Sequence, residues 1–169
     1  TTLKLLNKKN KEYSFYIFSG YKNYKKIKYL IKKYNPKFFV IFDNYTFKKI
    51  KKENLKNNVK ILNSFEYQNF KFKKSDISIL AIPGIAGLEP SLKAIRVSKK
   101  ILIANKESVI CGWDLIKKLV KKCKVKIFPV DSEHFSIMNL IDQSNKKNVE
   151  KIYLTASGGP FLKYSLNKM

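Results

Sequence analysis

The sequence predicts an α/β fold, a doubly wound parallel sheet followed by the start of a second α/β unit. Three observations predict it. Short apolar runs alternate with amphipathic stretches along the chain. The runs are apolar at successive positions, the pattern of strands buried on both faces, and such strands are parallel and covered by helices. Polar or glycine-containing motifs directly follow several of the runs, and open parallel sheets bind ligands beyond the carboxyl ends of their strands.

Thr1 to Lys8 reads as a short helix with Leu3 and Leu6 on one face. Tyr13 to Phe18 is aromatic and β-branched and reads as a strand, and Gly20 marks a turn. Tyr24 to Tyr34 is an amphipathic helix built on Ile27, Leu30 and Ile31, stopped by Asn35-Pro36. Phe38 to Phe42 is a continuous apolar run, a buried strand. A helix follows from about Tyr45 to Lys52, then a strand from Val59 to Leu62, and Ser64 is placed to cap another short helix.

Asp76 to Ile82 is the next strand, and Pro83-Gly84-Ile85-Ala86-Gly87 a glycine-punctuated loop. Pro90 suits the first turn of a helix over 89–97. A strand at Ile101 to Ala104 precedes a helix within Lys106 to Lys122, and a strand at Val125 to Val130 precedes a helix over Glu133 to Ile141. Ile152 to Ala156 is a last strand, running into Ser157-Gly158-Gly159-Pro160.

The chain has 169 residues, 44% of them apolar, enough for a domain core and unlike a disordered chain. A net charge of +24 invites a nucleic-acid reading. The lysines, however, are spread over the whole chain and the only arginine is Arg96, whereas base and phosphate readout recruits arginine forks. A general surface bias toward lysine, with no specific nucleic-acid partner, is the better reading. Cys111 and Cys123 have no metal or redox spacing and read as reduced thiols of a cytoplasmic protein. No run is long enough for a membrane span.

Three strand ends carry candidate chemistry. Asp131 and Glu133, two positions apart after an apolar run, can converge from an extended backbone, and their oxygens suit Mg²⁺ or Mn²⁺. Alternatively Asp131 caps a helix with Glu133 in its first turn. Ser132 is a hydroxyl donor to a ligand or a cap. His134, the single histidine, is structural or supports the carboxylates, with proton transfer as the other reading. Lys106 could meet a carbonyl, hydroxyl or phosphate, and Asn105 and Glu107 a cofactor amide or sugar. The alternative there is a helix start capped by Asn105. Ser157-Gly158-Gly159 offers a hydroxyl and amides to an anion, or is a plain turn. Gly84 and Gly87 do not make the dinucleotide fingerprint.

Four ordered blocks together resemble 1-deoxy-D-xylulose 5-phosphate reductoisomerase. They are Gly84-Ile85-Ala86-Gly87-Leu88 with Pro90-Ser91-Leu92-Lys93-Ala94-Ile95-Arg96; Ile103-Ala104-Asn105-Lys106-Glu107-Ser108; Pro129-Val130-Asp131-Ser132-Glu133-His134; and Leu154-Thr155-Ala156-Ser157-Gly158-Gly159-Pro160-Phe161. The resemblance runs through nearly all of the chain and is weak before about residue 75. It implies an NADPH-binding, Rossmann-like domain over 1–124 and the start of a metal- and substrate-binding catalytic domain over 125–169. The implied activity is rearrangement and NADPH-dependent reduction of 1-deoxy-D-xylulose 5-phosphate to 2-C-methyl-D-erythritol 4-phosphate, for isoprenoid precursor synthesis. It implies Mn²⁺ or Mg²⁺ as well, in a cytoplasmic homodimer.

Residue by residue, the resemblance makes Lys106, Asp131 and Glu133 catalytic, with Asp131 and Glu133 as metal ligands. Lys106, Ser132, Glu133 and Ser157 contact the substrate. Lys22, Asn23, Asn105 and Glu107 contact NADPH, and a lysine at Lys22 suits NADPH over NADH. Tyr21 stands where the family has a small residue. The family's opening strand and glycine loop, which hold the pyrophosphate at a helix N-terminus, are not matched by Thr1-Thr2-Leu3 onward. Its third carboxylate lies beyond residue 169. The chain is therefore expected to be a fragment or reduced form of that enzyme. An inactive relic and a different NAD(P)-dependent oxidoreductase are the other readings.

Overall fold

The computed structural model describes Leu3, Leu6 and residues 12–53, 58–64, 73–143, 149–153 and 164–165. The chain divides into two compact units, Thr1–Ser75 and Asp76–Met169.

The first unit holds β1 (Ile17–Gly20), α1 (Tyr24–Tyr34), β2 (Phe38–Ile41), α2 (Asn44–Lys52) and β3 (Lys60–Leu62). The sheet order is β1-β2-β3, and both ladders are parallel, with Phe39 opposite Phe18 and Ile61. All four residues of β2 are buried. Phe39 and Ile41 share one face of β2 and join Ile27 and Ile31 of α1 and Ile50 of α2 in a single core. This is why the run Phe38-Phe39-Val40-Ile41 is apolar at every position. α1 spans the predicted residues. Its Ile27 and Ile31, four apart, face inward. Asn23 Oδ1 accepts from the Lys26 N–H at 3.1 Å, and Asn35 ends the helix in the left-handed region at φ 42°.

The second unit holds β4 (Ser75–Leu80), whose first residue marks the boundary, a 3-10 turn (Ile85–Gly87), α3 (Leu88–Arg96), β5 (Ser98–Ile103), α4 (Lys106–Cys123), β6 (Lys126–Pro129) and α5 (Ser132–Gln143). The order is β4-β5-β6, and β5 and β6 run parallel with Ile101 opposite Ile127. Leu80, Ile95, Ile101, Ile103, Ile116 and Val125 form the core. Gly112 breaks the regular backbone of α4 (φ −131°, ψ 21°). A Cβ there would lie 2.4 Å from Leu88 Cδ1, so the glycine admits the start of α3 against α4.

The α/β class and the parallel strands are as the sequence predicts, and several boundaries differ. The strand expected at 13–18 is β1 at Ile17–Gly20, although hydrogen bonds from Lys37 and Phe38 reach back to the carbonyls of Phe15 and Tyr16. β5 begins three residues early, at Ser98. Its exposed Lys99 and Lys100 hid the start of the ladder. β4 departs from the expectation of burial on both faces: Ile77 and Ile79 are 48% and 36% exposed. Leu3 and Leu6 are helical, while the rest of the helix expected over 1–8 lies outside the described residues. The helix expected after Ser64 and positions 154–156 of the last expected strand lie outside them too. Ile152 and Tyr153 are exposed and belong to no strand.

Candidate active site at the strand ends

In the second unit, β5 and β6 deliver two motifs side by side. Ile103 pairs with Pro129, and the Val130 N–H donates to the Ile103 carbonyl at 3.0 Å. The chain after each strand therefore emerges at the same edge. Lys106 and Glu107 open α4 and are exposed, and Asp131 to His134 open α5.

Asp131 does cap α5. Its Oδ1 accepts from the His134 backbone N–H at 3.0 Å and lies 2.6 Å from His134 Nδ1. Burial alone would raise the Asp131 carboxyl. The backbone and ring hydrogen bonds from His134 outweigh that and hold it below the ordinary aspartate range. Glu133 takes a hydrogen bond on Oε2 from Ser132 Oγ at 3.0 Å. Its own backbone N–H, the Ser132 hydroxyl and the positive charge of Lys106 hold it low, against burial and the charge of Asp131. The electrostatic influence of Lys106 on Glu133 ties the two motifs into one cluster. Two ionised carboxylates at one helix start, the cap and the first turn, suit a hard divalent cation in donor chemistry. Among the described residues no group of three or more His, Cys, Asp or Glu side chains is arranged to hold a metal ion.

Asn105 is 3% exposed and both the oxygen and the nitrogen of its amide are hydrogen-bonded. Oδ1 accepts from the Ser108 N–H at 2.7 Å, capping α4. Nδ2 donates to the carbonyls of Ile82 and of Gly84, the latter at 2.9 Å. The side chain thus clamps the loop leaving β4 to the start of α4. Gly87 makes room for it, since a Cβ there would lie 2.2 Å from Asn105 Nδ2 and 2.5 Å from the Ile82 carbonyl. Gly84 adopts φ 71°, and nothing lies within 4 Å of where its Cβ would be. The backbone there is open to a close-approaching ligand.

In the first unit, Lys22 and Asn23 follow β1. Lys22 is exposed, with Nζ 5.7 Å from the Tyr21 ring centre, and Thr46 Oγ1 meets its carbonyl at 3.5 Å. The Asn23 side chain serves as the cap of α1. Asp43, after β2, caps α2 through Thr46. The Thr46 side chain, then its backbone N–H, and the charge of Lys22 hold the Asp43 carboxyl low against burial.

Thus Lys106 and the Asp131-Ser132-Glu133-His134 segment converge in the second unit, Lys22 and Asn23 lie in the first, and Ser157 lies outside the described residues. His134 contacts Asp131, as the reading of it as a support for the carboxylates expects; the sequence reading missed the Asn105 clamp and the buried Ser108 hydroxyl, which has no hydrogen-bond partner among the described residues. Only the short polar character of Asn105 and Ser108 in a helix start signalled any of these.

Residues 1–112 match the family model described as 1-deoxy-D-xylulose 5-phosphate reductoisomerase, and residues 127–169 match that of its C-terminal domain. Among curated relatives, the reductoisomerase of Pelagibacter ubique (strain HTCC1062) is 47% identical, covering 98% of this chain and 44% of the relative. That of Wolbachia pipientis wMel is 40% identical, covering 99% and 43%. Among solved structures, the Zymomonas mobilis reductoisomerase in complex with NADPH has a TM-score of 0.83 and 31% identity, covering 99% of this chain and 45% of that one. A reductoisomerase in complex with NADPH, fosmidomycin and magnesium has a TM-score of 0.79 and 28% identity, covering 99% and 44%. The chain spans less than half the length of these relatives. With both family models matched in order along it, the chain belongs to the 1-deoxy-D-xylulose 5-phosphate reductoisomerase family.

Proposed function

We propose that the protein carrying this chain is an NADPH-dependent reductoisomerase, which rearranges 1-deoxy-D-xylulose 5-phosphate and reduces the product to 2-C-methyl-D-erythritol 4-phosphate. The observation that carries this reading is the convergence of Lys106 with Asp131 and Glu133 at the ends of paired parallel strands, in a chain of this family. Asp131 and Glu133 would hold Mn²⁺ or Mg²⁺, and two carboxylates kept ionised fit that cation. When bound, the cation supplies Lewis-acid polarisation of the substrate's oxygens, and NADPH supplies hydride.

The chain's own side chains then have distinct tasks. Lys106 holds an oxygen of the substrate with its ammonium group. Ser132, Glu133 and Ser157 orient the substrate. Lys22, with Asn23, meets the 2′-phosphate of NADPH, and Asn105 and Glu107 contribute separately to holding the cofactor. For Asn105 the contribution is through the Ile82–Gly84 loop that its amide holds. In the complete protein, residues 1–124 form the NADPH-binding domain and 125–169 begin the catalytic domain. That protein is a cytoplasmic homodimer without a specific nucleic-acid or membrane partner.

The test is NADPH oxidation at 340 nm with 1-deoxy-D-xylulose 5-phosphate and Mn²⁺, on the full coding product and on the 169-residue chain. A metal-dependent signal is expected from the first and none from the second. NADPH binding by the full product without turnover would favour an inactive relic. Turnover of another carbonyl compound without any metal would favour a different oxidoreductase.

A further inference from the structure

Asp131 carries the capping of α5 and, in the reading above, a metal bond as well. Its two oxygens are treated differently. Oδ1 accepts the His134 backbone N–H at 3.0 Å and lies 2.6 Å from His134 Nδ1. Both contacts fall on the same oxygen. An aspartate is ionised at neutral pH and can only accept, so Nδ1 carries the hydrogen in this contact. Two donors from one residue fix the torsion of the carboxylate. A single cap bond from the backbone would leave it free to rock. Neither donor uses Oδ2.

We propose that His134 is the positioning residue of Asp131: its Nδ1–H and backbone N–H together hold Oδ1, so that Oδ2 is the oxygen presented to the divalent cation. The proposal rests on the reading of Asp131 as a metal ligand and adds the residue that aims it. The neighbouring carboxylate is also held, with Ser132 Oγ donating to Glu133 Oε2. His134 lies three residues after the cap, where the backbone N–H of a helix's first turn reaches the capping oxygen, and here its ring nitrogen reaches the same atom. Partners of this kind orient metal ligands and typically contribute about 10–100-fold to metal affinity.

The experiment measures Mn²⁺ dissociation constants, from the electron paramagnetic resonance signal of free Mn²⁺, on the full coding product at one neutral pH without substrate. Three variants separate the two ring nitrogens. His134→Asn puts an amide N–H near the position of Nδ1. His134→Gln puts one near Nε2. His134→Ala removes both, and all three keep the backbone N–H. Expected is a loss of about tenfold for His134→Gln and His134→Ala, with His134→Asn within about threefold of the parent.

The His134 side chain is 59% exposed, so the fold should tolerate all three changes, and unchanged NADPH affinity checks it. Retention by His134→Gln with loss by His134→Asn would overturn the proposal in favour of a contact through Nε2. Unchanged affinity in His134→Ala would overturn it outright. Asp131→Asn separates the levels: if it leaves Mn²⁺ affinity intact, the metal-ligand reading itself fails. If it abolishes affinity while every His134 variant behaves as the parent, only the positioning role fails.

Discussion

Asn105 offers the sharpest test of how the strand ends are built. Its side chain makes three hydrogen bonds, one as the cap of α4 and two as the clamp on the Ile82 and Gly84 carbonyls. Asn105→Ala removes all three. The cap contributes about 1 kcal/mol and each neutral clamp bond about 1 kcal/mol, a local loss of roughly 3 kcal/mol. Asn105→Asp discriminates between the parts. Aspartate caps as well as asparagine, so a residue that only capped would tolerate it. Aspartate has no N–H, however, and it would turn an ionised oxygen toward two carbonyls. The clamp then predicts a loss of at least about 2 kcal/mol. The assay is hydrogen exchange by mass spectrometry on peptides covering 79–88 and 104–112 of the full coding product. A 2 kcal/mol loss appears as about 30-fold faster exchange where the opening is local. Gly87→Ala should do the same from the other side, because its Cβ would overlap Asn105 Nδ2 and the Ile82 carbonyl. Protection in Asn105→Asp within about twofold of the parent would refute the clamp.

Three further outcomes are expected. Lys22→Ala in the full coding product should weaken NADPH by about tenfold and NADH little, as for removal of one phosphate contact; equal losses by fluorescence titration would remove Lys22 from the 2′-phosphate role. Glu133→Gln should weaken Mn²⁺ by at least about tenfold in calorimetry, since a carboxylate ligand becomes a neutral amide; unchanged affinity would count against Glu133 as a ligand. Asp43 is held low by its bonds to Thr46, so its cap contributes above the ordinary aspartate range and is lost as pH falls through the lowered value. The melting temperature of Asp43→Asn should therefore depend less on acid pH than the parent's, and parallel curves would show that the ionised cap contributes nothing.

The sequence was most legible where one physical demand acted alone. The run Phe38 to Ile41 is buried throughout and was readable as such. The spacing of Ile27 and Ile31 marked the inner face of α1, and Asn35-Pro36 its end. Legibility failed where two demands overlapped. Ser98-Lys99-Lys100 pairs its backbone in β5 and sends lysines to solvent, so composition disguised the ladder. Ile77 and Ile79 of β4 have the composition of buried strand residues and are exposed. Periodicity reports what a strand can bury, whereas burial depends on what covers it. The Asn105 clamp joins residues more than twenty positions apart, a relation that no local pattern carries.

The overlap of demands also bears on how the carboxylates were read. From spacing alone, helix cap and metal ligand stood as alternatives for Asp131. The geometry makes them compatible, because a carboxylate has two oxygens and the cap bonds use one. Capping even favours metal binding. A carboxylate held ionised by N–H donors at a helix N-terminus is an acceptor before any cation arrives, and a fixed torsion spares the cation the cost of ordering its ligand. The same reasoning applies to Asn105, where the capping oxygen and the clamping nitrogen belong to one amide. At both strand ends a single short polar side chain secures the start of a helix and keeps a second function on its other atom. A substitution that preserves the cap while changing the other atom, Asn105→Asp being the direct case, therefore separates local structure from the organisation of the site.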